Sequence, residues 1–303
     1  MPWSDAPAFT VVLVVALLAL VVVPLAQMLG DGAGAQHGLE PLLELVAVLL
    51  GLLVVSVSLH ALEAQEQARA NVLVVGFGVA AACNFLHGVL VHSGPVHMPP
   101  GSADMSLWLS SWARVAEALT LGLTATRLSA PGPARAWLAA AGGVTLVLAG
   151  SALGPLPHWF AHAADGALRQ VVAVGLALAL AASAVLLYRR SRSEEAPRER
   201  LFAWAAGVFV CGEVTVGALG GHSTLGGVLS HGFRVVAYAL LYQAVFDAGI
   251  RRPFARIQEA ESRLRESEGR LSLLGRNLPH SVLFQIVREL DGRVHFVHMG
   301  DAI

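Results

Sequence analysis

The sequence predicts an all-α polytopic membrane bundle of about eight transmembrane helices, continued by a cytoplasmic helix and a short α/β segment. Three observations predict it. The 303 residues are 55% hydrophobic and only 14% charged, against about 25% charged in an average soluble domain. Apolar runs near twenty residues recur at 8–29, 41–63, 70–93, 104–127, 134–153, 166–188, 200–219 and 227–249. Each is long enough to cross a hydrocarbon core of about 30 Å as a helix. Finally, arginines occur in alternate gaps between these runs.

The 8–29 run is too long for a signal peptide and lacks a basic leader, so it reads as a retained helix. The gaps that follow carry turn signals: "GDGAGAQHG", "SGPVHMPPGSAD", "SAPGPA" and "GPLPHWFAHAAD". Arg69, then Arg127 and Arg135, then Arg189, Arg190, Arg192, Arg198 and Arg200, then Arg251 and Arg252 mark one set of gaps. The other gaps, at 30–40, 94–103, 154–165 and 220–226, hold no arginine. The positive-inside rule makes the first set cytoplasmic, together with both ends of the chain. Every basic residue is arginine, a trait that fits base composition better than function. Net charge is −1, so nothing points to nucleic acid as a partner. Cys83 and Cys211 lie far apart in apolar runs, which argues against a disulfide framework or a CxxC metal site.

After Arg252 the chain turns charged. In "FARIQEAESRLRESEGRLSLLGRN" the positions 257, 260, 264, 267, 271 and 274 read Ile, Ala, Leu, Ser, Leu, Leu, a heptad seam weakened by Ala260 and Ser267. Two readings stay open here: a solvated amphipathic helix, and a parallel dimeric connector. The tail "NLPHSVLFQIVRELDGRVHFVHMGDAI" places β-rich runs at 282–287 and 294–298 around "LDG", a hairpin signal. Two strands do not stand alone, so this segment reads as the beginning of a longer domain.

With that topology the ionisable residues fall at definable depths. Glu40 and Glu44 share a face in the outer turns of their helix. His87 lies about one and a half turns below the outer surface, with Cys83 and Asn84 one turn deeper and His92 at the surface. Trp108 is interfacial, while Arg114 and Glu117, three apart, lie deeper. Glu213 sits about two turns from the outer end of its run, and His231 and Arg234 open the last run. His60 is the prominent exception in the inner half. Each ionisable group at a helix centre costs roughly 2.5–3.5 kcal/mol to insert. The group as a whole must therefore face a ligand, water or itself, which predicts an outward-opening polar cavity.

For single residues the plainer alternatives stand beside this one. Arg114 and Glu117 can pair with each other. His37, His92, His97 and His222 are ordinary interfacial or loop histidines. His158 and His162, four apart, chelate a metal if their segment is helical, but Pro155 and Pro157 argue equally for an irregular one. His87, Glu213 and His231 lie within spans, at similar depth, on three helices; they bind a ligand or metal, or they hydrogen-bond structurally. Imidazole with carboxylate suits zinc, copper, iron or nickel, two facing histidines suit haem iron, and a buried arginine suits a small anion. No nucleophile–base set or P-loop is present, and the glycine-rich "GFGVAA" and "GALGGHSTLGG" follow no strand.

"GFGVAAACNFLHGVLVHSG" followed by "LWLSSWARVAEALTLGLTA" resembles the core signature of membrane-associated sensor domains of the third MASE type. Leu86-His87, Gly94, Trp108 and Arg114 carry the match, joined by Glu44, "DGALRQ", Glu213 and "SHGFRVVAYALLYQAV". In the last of these Ser230 stands where the family usually has glycine, and Arg234 where it usually has lysine. The resemblance covers roughly residues 35–250. The tail separately resembles the start of a PAS domain, through "NLPHSVLFQ", "LDG" and "RVHFVHMG". Together these imply the input half of a bacterial sensor histidine kinase or cyclic-di-GMP enzyme in the inner membrane.

The expected organisation is a transmembrane sensor domain over 1–250, a signalling helix over 251–277 and a truncated PAS-like segment over 278–303. The expected site takes a periplasmic metal ion, haem or small ligand. His87 and His231 would be direct ligands, and Glu44 and Glu213 further ligands or their acceptors. Arg114 would balance charge beside Glu117, Trp108 and Arg234. A homodimer with an output domain on the same chain would relay the signal through the last transmembrane helix. The rival expectation is a haem- or metal-binding redox or transport protein, although no inverted repeat is evident.

Overall fold

Because lipid offers the backbone no hydrogen-bond partner, each apolar run has to satisfy its own amides, and helices do so. The computed structural model describes residues 33–60, 67–92, 102–127, 132–162, 167–193, 197–219, 224–277, 284–288 and 293–299. The 8–29 run and the "LDG" turn lie outside them. The described helices are α1 (Ala33–His60), α2 (Gln67–His92), α3 (Ser102–Thr126), α4 (Ala134–Ala152), the short α5 (Leu156–His162), α6 (Ala167–Ser193), α7 (Pro197–Leu219) and α8 (Thr224–Phe246). A π turn, Asp247–Arg251, leads into α9 (Arg252–Asn277). The strands β1 (Phe284–Arg288) and β2 (Val294–Met299) follow.

Among the described residues five helical stretches are long and apolar enough to span a bilayer: Glu40–His60, Gln67–Val91, Ala167–Arg192, Arg198–Gly217 and the run starting at Gly226. The 104–127 run forms α3 but carries Arg114 and Glu117, and the 134–153 run forms the shorter apolar helix α4.

The packing pattern closes a ring, α1–α2–α3–α6–α7–α8, in which α8 returns to α1. Helix α4 lies against α2 on the outside of this ring, and α5 against α3. Buried positions on α8 show why it fits: Val228, His231, Arg234, Tyr238, Leu241 and Val245 recur every three or four residues, one helical face. Large apolar side chains such as Leu49, Leu119, Val171 and Leu178 point outward, as expected where hydrocarbon rather than water is the solvent. Small residues (Ala70, Ala80, Ala113, Ala205, Ala237) fill the buried faces and allow close approach. In the core Tyr238 meets the ring edges of Phe77 and Phe209 at 5.7 and 5.6 Å.

The α2–α3 crossing depends on one missing side chain. A Cβ on Gly76 would run into the Thr120 side chain, which is buried and donates to the Ala116 carbonyl at 2.6 Å. Gly76→Val is therefore expected to destabilise the bundle by about 1–3 kcal/mol, the usual cost of overpacking. A lower unfolding midpoint in detergent would check it, and Thr120→Ala should recover part of the loss.

At the end opposite the polar site, Arg69 and Glu199 form a two-pronged ion pair of 2.7 and 2.9 Å that ties α2 to α7. Asn71 donates to the Gly132 carbonyl at 2.9 Å. Gly132 has φ +123°, a conformation L side chains rarely adopt. The turn before α4 is thus held by a side chain of α2.

The chain divides at Ile250/Arg251 into two compact units. In the second, α9 is amphipathic and exposed, with Glu259–Arg263, Glu261–Arg265 and Glu266–Arg270 paired one turn apart. Ile257, Leu264 and Leu271 form an exposed apolar stripe at seven-residue spacing. Strands β1 and β2 pair antiparallel, from Phe284 opposite Met299 to Arg288 opposite Val294, with an irregularity between Gln285 and Ile286. The expected strands pair as a hairpin; among the described residues two strands do not make a PAS domain, and no PAS-like α/β segment is present.

Candidate functional site

The polar site forms where α1 and α8 begin and α2 ends. Glu44 on α1, His87 on α2 and His231 on α8 bring their ligand-type atoms within 4.8 Å of one another. His87 Nε2 lies 3.7 Å from Glu44 Oε1, and His231 Nε2 lies 3.6 Å from Glu40 Oε1. The two imidazole planes are 24° apart with centroids separated by 6.5 Å. Nδ1 of His87 is 3.0 Å from the Ser106 carbonyl and 2.8 Å from its hydroxyl. A proton on Nδ1, donated to that carbonyl, leaves Nε2 as the lone-pair nitrogen turned toward Glu44.

Two glycines make room for the carboxylates. A Cβ at Gly88 would sit 3.0–3.1 Å from the Glu44 carboxylate atoms. One at Gly227 would sit 2.5 Å from Glu40 Oε1. Beside Glu44 a cavity of about 310 Å³ opens between α1 and α2, lined by Pro41, Glu44, Leu45, Val48, Asn84, Phe85, Gly88 and Val89. Leu45, Phe85 and Val89 are exposed at its mouth, so the cavity reaches the outer face of the bundle.

Deeper in the ring lies a second polar layer. Glu117, 1% exposed, accepts from the Tyr238 hydroxyl at 2.9 Å and from Asn84 Nδ2 at 3.5 Å. Arg234 Nε is 3.6 Å from the same oxygen, and Arg234 Nη1 donates to Asn84 Oδ1 at 3.2 Å. Asn84 is three residues before His87, and Arg234 three after His231, so this layer sits one turn beneath the histidines on the same two helices. Arg114 instead grips Glu213 with two nitrogens, Nε at 2.7 and 2.9 Å from the two carboxylate oxygens and Nη2 on one of them.

Of the residues singled out in the sequence, His87, His231 and Glu44 thus come together, with Arg234 and Glu117 one turn below. Arg114 and Glu117 do not pair with each other, because each finds an opposite charge on another helix. Glu213 binds Arg114 and is not among the groups gathered at the histidines. Trp108 donates to Ser151 Oγ at 3.0 Å and stacks edge-on with Trp112 and Phe160. It therefore orders α3, α4 and α5 rather than the histidine cluster. His60 hydrogen-bonds its own helix at the Ser56 carbonyl, 3.0 Å away. Cys83 is buried and Cys211 exposed, both as free thiols. The side chains of His37 and His92, along with His97 and His222, lie outside the described residues.

Two participants escape a reading by sequence, and a third is legible only in part. Ser106 and Tyr238 look like ordinary helix residues, although Tyr238 is four residues after Arg234 and seven after His231, the spacing of one face. Glu40 shows its signal as the partner of Glu44 on one face, but which of the two faces a histidine depends on α8.

These features define a multi-pass membrane protein whose helices enclose charged and hydrogen-bonded side chains at one end of the bundle. Residues 37–253 match the membrane-associated sensor domain family MASE3, and the chain belongs to that family. No curated protein and no solved structure matches the chain.

Proposed function

We propose that this chain is the input region of a bacterial inner-membrane sensor and that His87, His231 and Glu44, with Glu40, bind a transition-metal ion. The observation that carries the reading is the convergence of two imidazoles and a carboxylate, from three helices, within 4.8 Å. Their chemistry suits zinc, copper, iron or nickel. A divalent ion also matches the charge of two carboxylates facing two neutral imidazoles. Glu213 contributes by holding Arg114 in place.

Arginine alternation supports eight spans with both chain ends cytoplasmic, which puts the metal site on the periplasmic side. His231 lies on α8, which leads through the π turn into α9. An ion that binds two arrangements of α8 with different affinity would bias them; a few kcal/mol of difference suffices for a switch. The exposed stripe Ile257, Leu264 and Leu271 supports a parallel homodimer through α9. The tail's resemblance to the start of a PAS domain supports an output domain on the same chain, a histidine kinase or a cyclic-di-GMP enzyme.

The test is metal content, an absorption spectrum and zinc titration of the whole chain in lipid nanodiscs, with His87→Ala and His231→Ala beside it. Each substitution removes a direct ligand and is expected to weaken zinc binding at this site by at least about 10–100-fold, the usual cost of losing even an outer-shell partner. Unchanged affinity in both variants overturns the metal reading. A Soret band lost in both would replace the ion with haem.

A further inference from the structure

A second set of ligand-type side chains converges away from the cluster above. Helix α5 is only Leu156–His162, but His158 and His162, four apart, fall on one side of it, with ring centroids 4.3 Å apart. Asp104, in the first turn of α3, faces both. Its Oδ2 is 2.9 Å from His158 Nδ1 and 4.0 Å from His162 Nδ1. The donor atoms of all three lie within 4.8 Å of one another.

The support beneath them is firm. Phe160, between the two histidines on α5, is 7% exposed and meets the edge of Trp108 at 5.6 Å. Trp108 is in turn anchored to Ser151 on α4. Apolar packing therefore holds α5 over the start of α3, while the His158 side chain remains 73% exposed and that of His162 62% exposed. The site has a buried base and an open rim.

We propose that Asp104, His158 and His162 form a second, solvent-accessible site for a divalent transition-metal ion of the zinc, copper or nickel class. Two imidazoles and one carboxylate are a common donor set for these ions, and three protein ligands leave a position for water. Ligand distances near 2.0–2.2 Å require the three atoms to close in slightly. On binding, His158 exchanges its hydrogen bond to Asp104, and His162 its 3.0 Å hydrogen bond to the His158 carbonyl, for bonds to the ion. Each imidazole binds in its neutral form. The bound ion would pin α5 to the first turn of α3. The site shares no residue with the His87–His231 cluster, so it stands whether or not that cluster binds metal.

The experiment is zinc titration of the whole chain in nanodiscs, with copper(II) electron paramagnetic resonance on the same samples. His158→Gln, His162→Gln and Asp104→Asn are each expected to weaken zinc binding at this site by about tenfold or more. The double histidine variant should bind one zinc ion fewer, and its copper spectrum should lose two imidazole nitrogens. His87→Ala should leave this ion in place. Because both histidines are exposed, the melting temperature without metal should not move. If the double variant and Asp104→Asn both keep the full stoichiometry and affinity, the proposal is overturned.

Discussion

Glu117→Leu is expected to destabilise the bundle by about 3–5 kcal/mol, the cost of stripping a buried charge of its partner. Glu117 is the acceptor shared by Tyr238, Asn84 and Arg234 in the middle of the ring. Removing it leaves the Arg234 guanidinium, itself buried, without the carboxylate it faces, and leaves two further donors unsatisfied. Arg234→Leu should cost a similar amount for the mirror reason. The double variant Glu117→Leu/Arg234→Leu should be less destabilised than the sum of the singles, because no lone charge remains. Unfolding midpoints in mixed micelles would measure all three. Additive losses would show that the two side chains do not act as a pair.

Glu213→Leu should be nearly as costly, again about 3–5 kcal/mol. Both oxygens of Glu213 are taken by Arg114, a bidentate geometry that combines charge with orientation. The pair joins α3 to α7, which are not neighbours in the ring and have few other contacts, so its loss removes a tie across the ring. The exchanged pair Arg114→Glu/Glu213→Arg should recover part of the stability, whereas Glu213→Gln should recover little. Zinc affinity at His87 and His231 should change little in Glu213→Leu, since that carboxylate points at Arg114. A large loss of affinity with unchanged stability would instead make Glu213 a ligand.

Much of the architecture is readable along the chain because hydropathy is a local property. The runs from 41–63 to 227–249 all appear as helices, most with ends within about three residues of the expected limits, although α1 begins earlier, at Ala33, and α6 runs on to Ser193. The hairpin also appears, since β-rich runs around a turn signal pair with their neighbours. The placement of Glu44, His87 and His231 at a common depth is equally legible, because rise per residue converts position in a span into depth.

Partner choice is not legible in the same way. The depth argument grouped Glu213 with the histidines and allowed Arg114 and Glu117 to pair on one helix. Both readings fail to fix azimuth, the direction in which a side chain leaves its helix relative to neighbours far away in sequence. Arg114 and Glu213 are 99 residues apart, and Arg234 and Asn84 are 150 apart. The short α5 shows the same limit. Pro155 and Pro157 left His158 and His162 undecided between helix and irregular segment, and packing of Phe160 on Trp108 accompanies the helical outcome.

By itself, then, the sequence determined that this is a membrane-embedded helical protein with most of the ionisable groups inside its spans gathered toward one end, since burying charge in lipid is costly wherever it occurs. Only the tertiary structure decided which groups meet. In a ring of helices each ion pair and each candidate metal ligand set is completed by side chains from separate segments, and their rotation about the helix axes is set by the packing of all of them together.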